Sequence, residues 1–273
     1  MPFDNILAKY EQGEISTDAL LSSLTACADT PLSEMQKGLW VTQRMMPESS
    51  GYNVPLCLRL AQCDLHKINM ALFRLIGQFP LLNTRIEEKA QRLFLVNQQE
   101  KPAIQETNVA SLSEQETIAL IRQQALQPFD LQSEPLLRLH LFVGSGEVYL
   151  LMLFHHIIVD SQSATLLMAH FLRFYHALLN DRELTTDDAP APYRDFVAAE
   201  KISLAGEAYD TQRQFWQETL SNLLPLDNLP QNKMQQTAAA SAGELIPFAL
   251  PADLAEKIHR YCVENHATQA SFY

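Results

Sequence analysis

Residues 155–161, read as His-His-Ile-Ile-Val-Asp-Ser, bring together side chains that can move a proton. They follow residues 148–154, an apolar run that is typical of a strand covered on both faces. Adjacent residues of an extended segment point to opposite sides, so we expect one of His155 and His156 to face inward and the other to face a cavity. An imidazole, with a usual pKa near ~6.5, is suited to accept a proton from an attacking amine or hydroxyl. We expect Asp160 to fix the loop by accepting backbone N–H groups or by pairing with an arginine.

Two other interpretations of the histidine pair stay open at this point. A histidine at the end of a strand is often a hydrogen-bonded core residue with no part in chemistry. A metal site formed by His155 or His156 with Asp160 would need a further ligand. The other candidate ligands lie on segments whose apolar pattern indicates core packing: His140, His170 and His176.

Composition excludes several function classes. The formal charge of −12 disfavours nucleic acid and anionic membranes, since binding either requires clustered Lys and Arg. With only 8 glycines and no glycine-rich loop, the chain is not expected to cradle a phosphate. No apolar stretch reaches the ~18 residues of a membrane span, and no secretion signal is recognised. The 4 cysteines show no paired metal spacing, so we expect them to be reduced and mostly packed, in a soluble cytoplasmic protein.

The elements that would position the histidines follow from hydrophobic periodicity and turn residues. Helices are predicted at residues 33–43, 65–78, 113–127, 209–223 and 251–266, with two short ones within 3–28, another after the histidine loop from Leu166 to Leu178, and the start of one at the last residues. Strands are predicted at residues 53–60, 83–88, 92–97, 136–143, 147–154 and 244–250. The turn at residues 144–146 suits a positive φ at glycine. Residues 231–243, which lack apolar periodicity, are predicted to be a linker.

Several motifs in order resemble the condensation domains of nonribosomal peptide and hybrid polyketide assembly lines. Residues 155–161 are similar to the HHxxxDG motif of that superfamily, which includes chloramphenicol acetyltransferase-like enzymes. Upstream, residues 128–138 contain the PFDL and PLLR sequences, and downstream residues 193–196 resemble the YxDF motif. The first family motif is matched by four residues: Ser33, Gln36, Leu39 and Trp40.

The chain also departs from the family pattern. Where the family commonly has RHExLRT, residues 78–84 place Asn83 at the arginine, which leaves Arg85 as a substitute partner for Asp160. Ser161 stands in place of the motif glycine. These departures indicate a divergent subgroup.

The resemblance implies an α/β (α+β) fold, a chloramphenicol acetyltransferase-like lobe with a mixed β-sheet flanked by helices. It implies an N-terminal linker or docking segment at residues 1–30, the N-terminal lobe at 31–230, the linker at 231–243, and the start of a second lobe at 244–273. In the family the two lobes form a V with the histidine loop at their junction.

The activity implied is amide-bond-forming acyl transfer between a carrier-bound acyl thioester and an aminoacyl acceptor. His156 would act as base or positioning group, with His155, Asp160 and Ser161 as the other site residues, and backbone N–H groups after Asp160 would assist the oxyanion. The partners implied are upstream and downstream carrier proteins, which bring phosphopantetheine, and neighbouring domains; no cofactor or metal is implied for the chain itself. Three alternatives remain: a non-catalytic carrier-binding module, an epimerisation domain, and a CoA-dependent acyltransferase of the same superfamily.

Overall fold

The computed structural model describes residues 9, 14, 29–61, 63–100, 102–182, 191–222 and 248–273. The chain divides into two compact units, Met1–Leu224 and Pro225–Tyr273. The first unit holds both sheets and the histidine loop. The predicted segments 1–28 and 231–243 lie outside the described residues, apart from Lys9 and Glu14.

The strands of the described residues form two sheets. They are β1 (Thr30–Pro31), β2 (Asn53–Ala61), β3 (Thr84–Lys89), β4 (Arg92–Asn97), β5 (Ile104–Asn108), β6 (Leu137–Val143) and β7 (Glu147–His155). The larger sheet has the order β2-β7-β6-β5, with β7 antiparallel to both neighbours and β5 parallel to β6. The smaller sheet has the antiparallel order β1-β4-β3. The mixed sheet flanked by helices confirms the predicted fold class.

The described residues form helices in both units. They are α1 (Glu34–Met45), α2 (Leu65–Gln78), α3 (Glu114–Ala125), α4 (Ser161–Leu179), α5 (Tyr193–Leu204), α6 (Glu207–Leu220), α7 (Ala252–Glu264) and α8 (Gln269–Phe272). The first four begin at side-chain caps, from Ser33, Asp64, Ser113 and Asp160, which satisfy N–H groups that the first turn leaves unpaired. Helix α7, with the short α8, belongs to the second unit.

The core lies around β7, whose residues Val148 to His155 are all buried. This burial confirms the prediction from its continuous apolar run. Helix α3 packs against β2 and β7. Helices α2 and α4 pack against each other, and each contributes an apolar stripe at three- and four-residue spacing. This packing fixes α4, which begins immediately after the histidine loop.

Four expectations need correction. The hairpin at residues 144–146 forms, but neither Gly144 nor Gly146 has a positive φ. A Cβ on Gly144 would lie 3.2 Å from the Glu147 carbonyl oxygen. The close approach of this backbone oxygen therefore explains the glycine at position 144. Positive φ occurs instead in the β3–β4 turn, at Ala90 and Gln91.

His176 is exposed, not packed, because it lies on the outer face of α4, and Cys57 is exposed on edge strand β2. Of the strand predicted at 244–250, only residues 248–250 are described, and they have no regular structure.

Candidate functional site

The histidine loop is held at its start by both strands that flank β7. The His155 N–H donates to the Leu136 carbonyl oxygen at 3.0 Å, and the His156 N–H donates to the Tyr52 carbonyl oxygen at 2.8 Å. Leu136 directly precedes β6 and Tyr52 directly precedes β2. The starts of these two strands therefore fix the backbone of both histidines. The Ile158 N–H then donates to the His155 carbonyl oxygen at 3.1 Å and closes a tight turn.

His155 is the inward-facing member of the pair. Its side chain is 1% exposed, and its Nδ1 accepts the Ile157 N–H at 3.1 Å. Burial, reinforced by the neighbouring His156, lowers the pKa of His155 to about 4, so the ring is neutral at neutral pH. Because Nδ1 accepts a hydrogen bond, the proton of the neutral ring lies on Nε2. The rings of Tyr52 and Phe129 lie 6.0 and 5.8 Å from the His155 ring, centroid to centroid.

His156 is exposed, and its imidazole belongs to the face of the loop opposite His155. The nearest described ring is that of Tyr52, at 6.4 Å between centroids in an edge-on arrangement. The loop therefore presents one imidazole outward on a backbone that is fixed by the sheet. That arrangement can accept a proton or orient a nucleophile.

Asp160 closes the loop as the cap of α4. Its carboxylate accepts the Ser163 N–H at 2.7 Å, and this bond lowers the pKa of the Asp160 carboxyl. Of the two contacts predicted for Asp160, the hydrogen bond from a backbone N–H is the one observed. Arg85 instead donates to the Gln132 carbonyl oxygen at 3.2 Å and pairs with Glu87 at 2.9 Å.

The two departures from the family pattern have structural explanations. Ser161 is the first residue of α4 and has no positive φ, so its backbone does not require glycine. Asn83 is 9% exposed, and its Nδ2 donates to the Gln98 and Glu100 carbonyl oxygens at 2.9 and 3.0 Å. Asn83 therefore fastens the segment after β4 to the start of β3.

The PFDL and PLLR residues meet beside the buried histidine. The Arg138 guanidinium pairs with Glu134 at 2.6 Å and donates to the Gln127 and Pro128 carbonyl oxygens at 3.0 and 2.6 Å. It also lies over the Phe129 ring, 4.1 Å from the centroid. Phe129 in turn contacts His155 edge-on, so this motif supports the inner side of the histidine loop.

The first family motif contacts the loop from helix α1. The Gln36 Nε2 donates to the Ile157 carbonyl oxygen at 2.8 Å. The sequence marks Gln36 as a motif match but does not predict this contact, because it joins residues 121 positions apart. The sequence also does not predict the role of Tyr52, because Tyr52 contributes its backbone carbonyl oxygen and any residue type could do so. The position of Gln36 could have indicated such a contact, because a polar residue on the buried face of α1 needs a hydrogen-bond partner.

A cavity of about 610 Å³ lies beside the loop. Ile158, Val159 and Ser163 contribute to its wall. Its other walls are largely apolar and include Phe79, Leu82, Leu95, Leu166 and Leu167. The volume is within the usual range of small-molecule sites.

Within the described part of the chain, no group of three or more His, Cys, Asp or Glu side chains is arranged to hold a metal ion. His140, one of the candidate ligands, is 4% exposed and its ring stacks on Phe142 at 6.1 Å, which confirms the prediction of core packing. Over the same residues, the helices are too short or too polar to cross a membrane.

Curated proteins similar to this chain include large synthases. The chain is 32% identical to polyketide synthase PksN of Bacillus subtilis over 243 residues, which is 88% of this chain and 4% of that protein. It is 28% identical to a linear gramicidin synthase of Brevibacillus parabrevis over 245 residues, 87% of this chain and 3% of that protein. The chain therefore spans a small part of these relatives.

Solved structures show the same fold. The first condensation domain of the CDA synthetase matches with a TM-score of 0.69 and 18% identity, over 90% of this chain and 60% of that one. The starter condensation domain of rhizomide synthetase matches with a TM-score of 0.66 and 17% identity, over 73% of this chain and 49% of that one. A family model for the condensation domain matches residues 28–272. The chain therefore belongs to the condensation domain family.

Proposed function

We propose that this chain supplies the histidine loop of a site that forms an amide bond between two carrier-bound substrates. The acceptor amine nitrogen attacks the carbonyl carbon of the donor thioester and a C–N bond forms. The C–S bond breaks, the phosphopantetheine thiol of the donor carrier leaves, and the amine loses a proton. Upstream and downstream carrier proteins and neighbouring domains are the partners of this reaction.

His156 acts on the amine in this proposal. The observation that carries it is the outward imidazole of His156 on a loop fixed by two strand ends and a helix cap. The imidazole either accepts the amine proton or holds the amine for attack, and both roles need the same ring position. His155 and Asp160 keep the loop in place, through the Ile157 and Ser163 N–H groups.

Backbone N–H groups at the start of α4 support the same chemistry. The Ser163 N–H already donates to Asp160. The first N–H groups of a helix have no partner within it, so those of Ser161 and Gln162 are the ones suited to stabilise developing negative charge on the thioester oxygen.

Substitution of His156 tests the proposal in the full-length protein. His156→Ala should lower the rate of amide formation between matched carrier-bound donor and acceptor by about 10²–10⁴-fold, the usual contribution of a general base. His66→Ala, which changes an exposed histidine on α2, should keep the rate within twofold. The assay is mass spectrometry of the carrier-bound species.

Other outcomes would identify the alternatives. Near-normal product from His156→Ala would remove the assignment of His156. Turnover of CoA thioesters without a carrier would indicate a CoA-dependent transferase, and inversion of the aminoacyl centre would indicate an epimerisation domain. Carrier binding without any turnover would indicate a non-catalytic module.

A further inference from the structure

Gln36 joins helix α1 to the histidine loop through a side-chain amide that is hydrogen-bonded at both ends. Its Nε2 donates to the Ile157 carbonyl oxygen at 2.8 Å, next to His156 in the chain, and its Oε1 accepts the Ser33 N–H at 3.0 Å. The side chain is 3% exposed. A buried amide with both ends bonded keeps a single orientation, because any other leaves a donor or acceptor unpaired.

The contact continues from Gln36 to helix α5. The Ser33 hydroxyl oxygen accepts the Gln36 N–H at 3.2 Å and the Tyr193 hydroxyl at 3.2 Å. Ser33 is 1% exposed. The next residue, Glu34, donates its N–H to the Glu200 carboxylate at 3.0 Å. Helix α5 therefore holds the start of α1, and α1 holds the loop.

We propose that Gln36 is a positioning residue for His156. The inference rests on the proposed function, since it assigns Gln36 the task of fixing the loop on which His156 acts. The Ile157 carbonyl belongs to the peptide between Ile157 and Ile158, and the N–H of the same peptide closes the turn by donating to the His155 carbonyl oxygen. If Gln36 did not hold this carbonyl, only the bond from the Ile158 N–H to His155 would fix the peptide, and the weaker hold would allow the His156 ring to shift. A displacement of about 1 Å at a reacting group can lower a rate by ~10²-fold.

A matched pair of glutamines separates positioning from stability. Gln43 also lies on α1, is 5% exposed, and donates to backbone carbonyl oxygens, those of Pro47 and Ser49 at 3.3 and 3.4 Å. Each glutamine is changed to Met, which has a similar volume and no amide. In the full-length protein, Gln36→Met should lower kcat for amide formation by ~10²-fold. Gln43→Met should leave kcat within twofold, although both variants lose the side-chain hydrogen bonds of a buried glutamine.

The conservative variant Gln36→Glu gives a pH signature. An ionised carboxylate would repel the Ile157 carbonyl oxygen, whereas a protonated carboxyl can donate to it. Burial raises the pKa of a carboxyl, so the donor returns as the pH falls. The kcat of Gln36→Glu relative to wild type should therefore rise at least fivefold from pH 8 to pH 6. The direct effects of nearby titratable groups on the rate occur in both proteins and so cancel in the ratio; these groups are His155, His156, Tyr193, Glu34, Lys37, Glu200 and Lys201.

Diethyl pyrocarbonate modification tests the inference without relying on activity. The reagent acylates accessible neutral imidazoles, so in wild type it should modify exposed His156 and spare buried His155. Gln36→Met should speed His155 modification at least tenfold, measured by peptide fragmentation, and Gln43→Met should not. Equal effects of the two Met variants on both readouts would overturn the inference, as would a flat Gln36→Glu ratio. An inactive wild type with the expected modification pattern would refute the proposed function and retain the positioning role.

Discussion

At the scale of single residues, the two histidines of the motif differ in their exposure to water: His155 is buried and His156 is not. His155 is 1% exposed and its pKa is lowered to about 4, whereas His156 is exposed. A ring that stays neutral keeps Nδ1 as an acceptor for the Ile157 N–H. Protonation of His155 would replace this hydrogen bond by a contact between two donors, so the neutral state is part of the folded structure.

This burial predicts a pH dependence of stability. An unfolded histidine binds its proton near pH ~6.5, while folded His155 binds it only near pH 4. Between these values the unfolded state holds more protons, so its free energy falls relative to the folded state as the pH is lowered. The contribution of His155 to the free energy of unfolding is thus complete above pH ~6.5 and declines by about 3 kcal/mol toward pH 4.

The measurement is urea unfolding followed by the fluorescence of Trp40, which is buried in the same unit. His155→Asn is the comparison, since its side-chain oxygen can accept the Ile157 N–H and does not titrate. The variant should be less stable than wild type at pH 7 and approach it as the pH falls. Parallel stability curves would contradict the assignment of His155 as the titrating group.

At the scale of elements, the helix that follows the loop depends on the last motif residue. Asp160 caps α4 through the Ser163 N–H at 2.7 Å. Asp64 caps α2 in the same way, through the Lys67 N–H at 3.1 Å. The two caps have the same chemistry, but only Asp160 adjoins the histidine loop.

Substitution of Asp160 and of Asp64 separates the effect of losing a helix cap from the effect of disturbing the histidine loop. Asp160→Ala and Asp64→Ala should each lower the free energy of unfolding by about 1 kcal/mol. Only Asp160→Ala should also lower the rate of amide formation, by about tenfold or more, because the loop loses its anchor next to His156. Asp160→Asn, which keeps a cap acceptor, should restore most of both losses. Unfolding curves and the carrier-bound assay give the two quantities, and an equal rate loss in Asp64→Ala would refute the role of Asp160.

Sequence patterns predicted the elements that have strong local signals. Helices α1, α2 and α3 and the apolar strands β6 and β7 were predicted close to their observed bounds, whereas α4, predicted from Leu166, begins earlier, at Ser161. Strand β5 was missed because its sequence, Ile-Gln-Glu-Thr-Asn, is polar and β6, with which it pairs, is distant in sequence. The candidate site residues were named from the motif, and their roles stay predictions. Their supports from Gln36, Tyr52 and Arg138 depend on tertiary packing, which a single sequence does not encode locally.

At the scale of the whole molecule, several large apolar side chains of the first unit are more than half exposed: Met35, Val41, Met45, Leu166, Phe196, Phe215 and Trp216. The match covers 49% of the rhizomide synthetase starter condensation domain and 60% of the first condensation domain of the CDA synthetase. The resemblance to that family implies a second lobe that forms the other wall at the histidine loop. We infer that part of this apolar surface is covered when that wall is present.

Residues 1–273 alone should therefore fold without catalysing. The first unit has its own sheets and buried core, so its unfolding should be cooperative. His156 is exposed, and no second wall would hold donor and acceptor within the ~3–3.5 Å that attack requires. Loss of that positioning should leave amide formation at the rate of the matched His156→Ala chain. The tests are urea unfolding, sedimentation to detect self-association through the exposed apolar side chains, and the carrier-bound assay. Turnover that is at least tenfold faster than His156→Ala would mean that this chain, or a dimer of it, builds a complete site.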